Sequence, residues 1–187
     1  MEINLKNANH QELIRAWETI IDPRKAQEGL SPQLAFRQLI IRAFELEGAE
    51  VRFPYQVKED QERDALENLD GVIYLNGHSC IVESHCLSKG GVTSRRANVS
   101  SGHISRFRSK LMNRPGYAVG SVFSATGFSP SALMQAQLSL PQTILLWSEE
   151  EIKECLYRQT FTKAFKIKNR RFFEQLIPDY DHRVDYL

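Results

Sequence analysis

Asp70-Gly-Val-Ile-Tyr-Leu-Asn-Gly-His-Ser-Cys-Ile-Val-Glu83 is the stretch on which the fold turns, because it spells a β-hairpin with a carboxylate at each end. Asn76-Gly77 is the favoured two-residue type I′ turn, and apolar and polar residues alternate away from it on both sides. With Leu75 opposite His78, the register continues as Tyr74 with Ser79, Val72 with Ile81 and Asp70 with Glu83. A side-chain period of two puts Asp70 and Glu83 on one face, and His85 follows them there. Cross-strand neighbours have Cβ atoms about 4.5 to 5.5 Å apart, where like charges destabilise a sheet unless a cation sits between them. A divalent metal meets that demand.

The rest of the chain sets the bounds. Its 187 residues, 42% of them hydrophobic, suffice for one domain with a real core. No run approaches the roughly 20 apolar residues of a membrane span, and Met1 to Lys6 lacks a charged-then-apolar leader. A cytoplasmic protein with no membrane partner is expected. Cys80, Cys86 and Cys155 form no Cys-x-x-Cys pair, so they read as buried thiols rather than structural zinc ligands.

The net charge of +1 conceals an uneven distribution. Residues 1 to 84 hold 15 acidic and 9 basic side chains, whereas residues 85 to 148 hold no Asp or Glu and seven cations. These are Lys89, Arg95, Arg96, Arg106, Arg108, Lys110 and Arg114. Six more basic residues, without an acid, run from Arg158 to Arg171 and interleave with Phe161 and Phe165. Cations clustered beside a carboxylate pair suit a phosphate backbone. A solvated surface is the plainer reading of the charge runs alone.

Helical spacing of Leu13, Ile14, Trp17, Ile20 and Ile21 predicts a helix over residues 9 to 22, ended by Pro23. Ser31-Pro32 opens a largely buried helix that runs to Glu47 and stops at Gly48. A strand is expected from Glu50 to Val57, an acidic loop from Lys58 to Asn68, and the hairpin strands at 69 to 75 and 79 to 86. A Gly-, Ser- and Arg-rich loop over 87 to 101 leads into a helix from Ser101 to Met112. A strand (Tyr117 to Ala125), a helix (Ser129 to Leu138) and a strand (Thr143 to Trp147) follow. Ser148-Glu-Glu-Glu151 is a capping box for the next helix, and an amphipathic helix over Phe161 to Leu176 precedes a loose tail from Pro178. The stripe of Phe161, Phe165, Phe172 and Leu176 reads as a docking face, with a dimer interface and a base-stacking platform as alternatives. His78 and His103 read as exposed polar residues.

In this order of elements the chain resembles the PD-(D/E)XK restriction-endonuclease-like superfamily, and within it small bacterial restriction-endonuclease-like proteins. Three segments within residues 32 to 150 carry the resemblance: Ala43-Phe-Glu-Leu-Glu-Gly-Ala-Glu-Val-Arg52; Leu69-Asp-Gly-Val-Ile with Ile81-Val-Glu-Ser-His85; and Ile104-Ser-Arg-Phe-Arg-Ser-Lys110 with Gly120-Ser-Val-Phe-Ser-Ala-Thr-Gly-Phe128. The resemblance implies an α/β fold, a restriction-endonuclease-like core with a central mixed β-sheet flanked by helices. Residues 31–156 would form that core, between an N-terminal helical extension (1–30) and a C-terminal basic amphipathic helix and tail (157–187). It also implies a Mg2+-dependent endonuclease, with Mn2+ as an alternative cofactor, hydrolysing phosphodiester bonds of nucleic acid, expectedly DNA, in defence or DNA metabolism.

Residue by residue, Asp70 and Glu83 match the metal-binding acids, and a backbone carbonyl near residue 84 would complete the set. Two positions depart from the pattern. His85 stands where the superfamily has a lysine that positions the attacking water, and Arg37 stands at the position of an acid in the core helix. His85 can act as a base or as a third ligand, which would favour manganese, iron or zinc. Lys110 offers a replacement cation. The catalytic candidates are therefore Asp70, Glu83, His85 and Lys110, with Lys89, Arg95, Arg96, Arg106, Arg108 and Lys110 gripping phosphates. The alternative is a catalytically degenerate nuclease-fold protein that binds nucleic acid or a partner protein within a defence or repair assembly. A homodimer or a larger protein assembly is compatible with either reading.

Overall fold

The computed structural model describes residues 5–22, 31–57, 67–75, 77–86 and 98–186. Asn76 of the expected turn, Lys89, Arg95 and Arg96, and most of the acidic segment lie outside the described residues.

Helix α1 (His10–Ile21) starts at a capping box, in which the Asn9 side chain accepts from Glu12 N–H and the Glu12 carboxylate accepts from Asn9 N–H. It buries Leu13, Ala16, Trp17 and Ile20. Helix α2 (Pro32–Leu46) has Ser31 as N-cap and Pro32 in its first turn. Seven of its residues, from Ala35 to Phe44, are buried, so it is a core helix apolar over most of its circumference. It ends beside Gly48, whose φ of +87° suits only a residue without Cβ.

The expected strand over 50 to 57 is split. β1 (Glu50–Arg52) joins the main sheet, and after a bend at Phe53 and Pro54, β2 (Tyr55–Val57) pairs with β3 (Glu67–Leu69) in a separate two-stranded ribbon. Part of the expected acidic loop is thus strand. β4 (Gly71–Leu75) and β5 (His78–His85) form the hairpin in the expected register, with Leu75 opposite His78, Val72 opposite Ile81, and Gly77 at φ +80°. The ladder closes at Gly71 with Val82, so Asp70 falls in a bend just beyond it.

Helix α3 (Ser101–Met112) leads to β6 (Val119–Ser124), helix α4 (Pro130–Gln137), β7 (Thr143–Trp147), helix α5 (Glu149–Arg158) and helix α6 (Phe161–Gln175). The sheet order is β1-β4-β5-β6-β7, antiparallel up to β5 and parallel from β5 to β7. Alternate residues of the strands feed two cores. Cys80, Val82, Phe123 and Trp147 pack with α1, α2, α5 and α6, while Ile81, Val122 and Leu146 pack with α3 and α4. In the larger core Trp147 stacks on Phe123 at 4.9 Å, and Phe44 meets both rings edge-on. Each such pair contributes about 0.5 to 1.5 kcal/mol beyond area burial. On the other face a Cβ at Gly120 would lie 2.5 Å from the Phe107 ring, so α3 rests directly on β6.

The chain end meets one expectation, the docking face of α6, and departs from another. Phe161, Phe165 and Phe172 are buried in the larger core, so the aromatic stripe docks within the chain itself. The expected loose tail is packed. Pro178 C=O accepts from Leu146 N–H at 2.8 Å, and a 3-10 turn (His182–Tyr186) follows. His182 is fully buried, with Nδ1 3.0 Å from Glu151 Oε1 and Nε2 3.3 Å from Cys155 Sγ. Lys168, also fully buried, donates to Glu151 and to Tyr180 C=O. Among the described residues no helix is long and apolar enough to cross a membrane.

Candidate functional site

The site is built where β5 outruns β4. Beyond the ladder's end, Ser84 and Cys86 still need partners for their backbone groups. Side chains supply them. Asp70 Oδ2 accepts from both Ser84 N–H and Ser84 Oγ at 2.8 Å. Gln33, in the first turn of α2, donates its amide N–H to Ser84 C=O and accepts from Cys86 N–H at 2.8 Å, pairing as a neighbouring strand would. One turn further along α2, Arg37 places Nε 2.9 Å from Asp70 Oδ1.

Glu83 faces the α3 side. Its Oε2 accepts from Lys110 Nζ at 2.8 Å, and its Oε1 lies 3.2 Å from His85 Nε2. The His103 ring stands edge-on to His85 at 4.9 Å, with Nδ1 2.8 Å from Ser100 Oγ in the cap of α3. Gln33, Arg37, Asp70, Glu83, His85 and Lys110 line one pocket of about 520 Å³, with His103 and Cys86 also in its walls.

The two carboxylates are tuned in opposite directions. Burial pushes the Asp70 carboxyl above its ordinary value, outweighing Arg37 and the Ser84 hydrogen bonds that favour the anion. Burial acts the same way on Glu83, but His85 and Lys110 overcome it and hold that carboxyl at about 2. His103 is lowered, first by burial and then by the neighbouring His85 and Arg106. Opposed shifts on two acids in one pocket mark a candidate for chemistry.

The four catalytic candidates therefore meet in one place. Asp70 and Glu83 do not form the expected facing pair, because Asp70 turns to Ser84 and Arg37. Each carboxylate instead has a cation of the protein's own, Arg37 for Asp70 and Lys110 for Glu83. Of the phosphate-gripping candidates, Arg106 is exposed and Arg108 donates to Leu140 C=O at 3.5 Å; neither lines the pocket. His103, expected to be exposed, is half-buried in the pocket wall because the α3 cap fixes its ring against His85. Sequence singles out neither Gln33 nor its bond to the Ser84 carbonyl. That bond spans 51 positions and leaves no local pattern, although Gln33 beside the N-cap Ser31 marks a first-turn side chain at the sheet's end.

Asp70, Glu83 and the Ser84 carbonyl are hard oxygen donors, the set that Mg2+ or Mn2+ takes. Asp70 Oδ1 is open to such an ion only when Arg37 leaves it, and the Glu83 oxygens and the Ser84 carbonyl would have to be shared with Lys110, His85 and Gln33. His85 does not close a three-residue set with them. Among the described residues the group of three with ligand atoms within 4.8 Å of one another is Glu151, Asp181 and His182, where Lys168 already holds Glu151.

No family model matches this sequence, and no curated protein does. Solved structures do. The small subunit (R.BspD6I2) of the heterodimeric restriction endonuclease R.BspD6I superposes with a TM-score of 0.53 at 13% identity, over 92% of each chain. A protein of unknown function, AF1548, gives 0.46 at 15% identity over 62% of this chain and 58% of its own. The MspJI restriction endonuclease in complex with a 27-mer oligonucleotide gives 0.44 at 12% identity, over 94% of this chain and 38% of its own. The match to the R.BspD6I small subunit, with the mixed five-stranded sheet flanked by helices, establishes an α/β, restriction-endonuclease-like fold.

Proposed function

We propose that this protein is a metal-dependent endonuclease that hydrolyses phosphodiester bonds, with DNA as its substrate, in defence or DNA metabolism. The observation that carries the reading is the meeting of Asp70, Glu83 and Lys110 in one pocket at the end of the hairpin. Asp70, Glu83 and the Ser84 carbonyl would hold Mg2+, or Mn2+ in its place. The ion would neutralise charge developing at phosphorus and acidify a bound water. Lys110 supplies the permanent ammonium that His85 cannot, close enough to Glu83 to orient its carboxylate and to donate to a non-bridging phosphate oxygen. His85, against the same carboxylate, is placed to orient water or to accept its proton. Arg106 and Arg108 on α3, outside the pocket, are assigned to backbone phosphates, and Lys89, Arg95 and Arg96 are assigned the same role from sequence. The R.BspD6I small subunit belongs to a heterodimeric enzyme, which supports work within a protein assembly.

One observation favours a second reading. Arg37 and Lys110 already neutralise both carboxylates, as expected of a degenerate copy that binds nucleic acid or a partner protein without cutting. Incubation of the protein with supercoiled plasmid and labelled single-stranded DNA, in Mg2+ and then Mn2+, separates the two. Metal-dependent nicking, reduced by about 100-fold or more in Asp70→Asn, is the expected result. Retarded DNA without nicking in either metal would replace the nuclease with the degenerate binder.

A further inference from the structure

Asp70 is held asymmetrically. Both hydrogen bonds from Ser84 fall on Oδ2, and the side chain is only 9% exposed, so its position does not depend on Arg37. Oδ1 faces Arg37, whose side chain is 41% exposed. The Nε that faces Oδ1 is buried yet makes no hydrogen bond, so the contact is a bare ion pair from a side chain otherwise open to water, worth about a factor of five in equilibrium terms. The carboxylate is fixed and the cation is exchangeable. Arg37, on α2, and Lys110, on α3, line the same pocket, where a bound phosphodiester would meet the Arg37 guanidinium. Arginine pairs with phosphate at least as well as with carboxylate, through a planar fork of donors.

We propose that Arg37 occupies the cation position of Asp70 in the free protein, and that a nucleic-acid phosphate draws it away, so that divalent cation and phosphodiester bind cooperatively. The proposal rests on the metal-dependent reading above and adds an order to it. Without substrate the ion competes with a tethered guanidinium; with substrate Oδ1 is released and Arg37 becomes a phosphate contact. Coupling of this kind is reciprocal, each ligand tightening the other by one factor. The residue that departs from the superfamily's acid then has a positive role, restraining the metal site until nucleic acid arrives.

The test is Mn2+ binding, followed by the electron paramagnetic resonance of the free ion, on the whole protein with and without a 15-base-pair DNA duplex. Asp70→Asn protein with the same duplex serves as the blank for ion held by DNA. Wild-type protein is expected to bind Mn2+ up to about fivefold more tightly with the duplex. Arg37→Gln should bind Mn2+ that tightly without DNA and gain little from it, while Arg37→Lys, which keeps the charge, should stay near wild type without DNA. Circular dichroism of each variant checks that it folds. Equal Mn2+ affinity of wild type and Arg37→Gln without DNA overturns the proposal, as does coupling that survives Arg37→Gln. An absence of Asp70-dependent Mn2+ binding in every variant overturns the metal-dependent reading and this proposal together.

Discussion

Among the described residues one chemical grouping occurs twice: a glutamate touched by a lysine and a histidine. Glu83 meets Lys110 and His85 in the pocket, and Glu151 meets Lys168 and His182 beneath the chain end. The parts are alike and the surroundings are not. Lys168 and His182 have no exposed side-chain surface, and the Glu151 side chain is 4% exposed. Lys110 is 29% exposed in an open pocket, and Glu83 15%. Buried, the grouping is a clasp that fastens α5, α6 and the final turn. At the pocket it is a set of charges that a ligand can reach. Access to water, more than residue identity, separates the structural copy from the candidate catalytic one.

Lysine deletion gives the largest test of that contrast. Lys168→Met strands Glu151 in a dry interior and should cost about 3 to 5 kcal/mol in urea unfolding. Lys110→Met in the same assay should cost less than about 1 kcal/mol. In plasmid nicking, at a temperature where both are folded, the ranking should invert. Equal unfolding costs would erase the distinction.

Acid titration sharpens the comparison within the pocket. The folded-state pKa of Glu83 lies below its ordinary 4.5, at about 2, so its contribution is present above pH 4.5 and is lost as pH falls toward 2. The size is of order 2 kcal/mol, read as the difference between wild type and Glu83→Gln in urea unfolding across that window. Asp70 is raised, so its sign is opposite. Its contribution is present below its ordinary value of 3.8 and is lost as pH rises through the folded value. The smallest effect belongs to a pair with neither burial nor a pocket. Arg158 reaches Glu154 one turn away with 63% of its side chain exposed, and Arg158→Ala should change stability by less than about 0.5 kcal/mol.

The hairpin was legible because its information is local. Asn76-Gly77 and strict alternation set the register, and the Ser31-Pro32 start and Gly48 stop marked the core helix. At the site, the presence of Asp70, Glu83, His85 and Lys110 in one pocket was readable, but the partner of Asp70 was not. The need for a cation near the acids followed from the register, and the choice between a metal and Arg37 depends on how α2 lies over the sheet. The same limit applies at Glu151. Its Oε2 accepts from Ser148 N–H in a capping box that sequence announces, while its Oε1 meets Lys168 and His182, 17 and 31 positions away. Short-range grammar specifies one oxygen and tertiary packing the other.

The hydrogen bond from Leu146 to Pro178 bears on how these molecules keep apart. β7 is the outer strand of the sheet, rich in apolar residues, and such a margin invites a strand from another molecule to add on. Pro178 takes up an outward N–H of β7, and its carbonyl comes from a residue that has no N–H of its own to extend the pairing. The chain end thereby acts as a selvedge, finishing the fabric at its margin so that the sheet stops there.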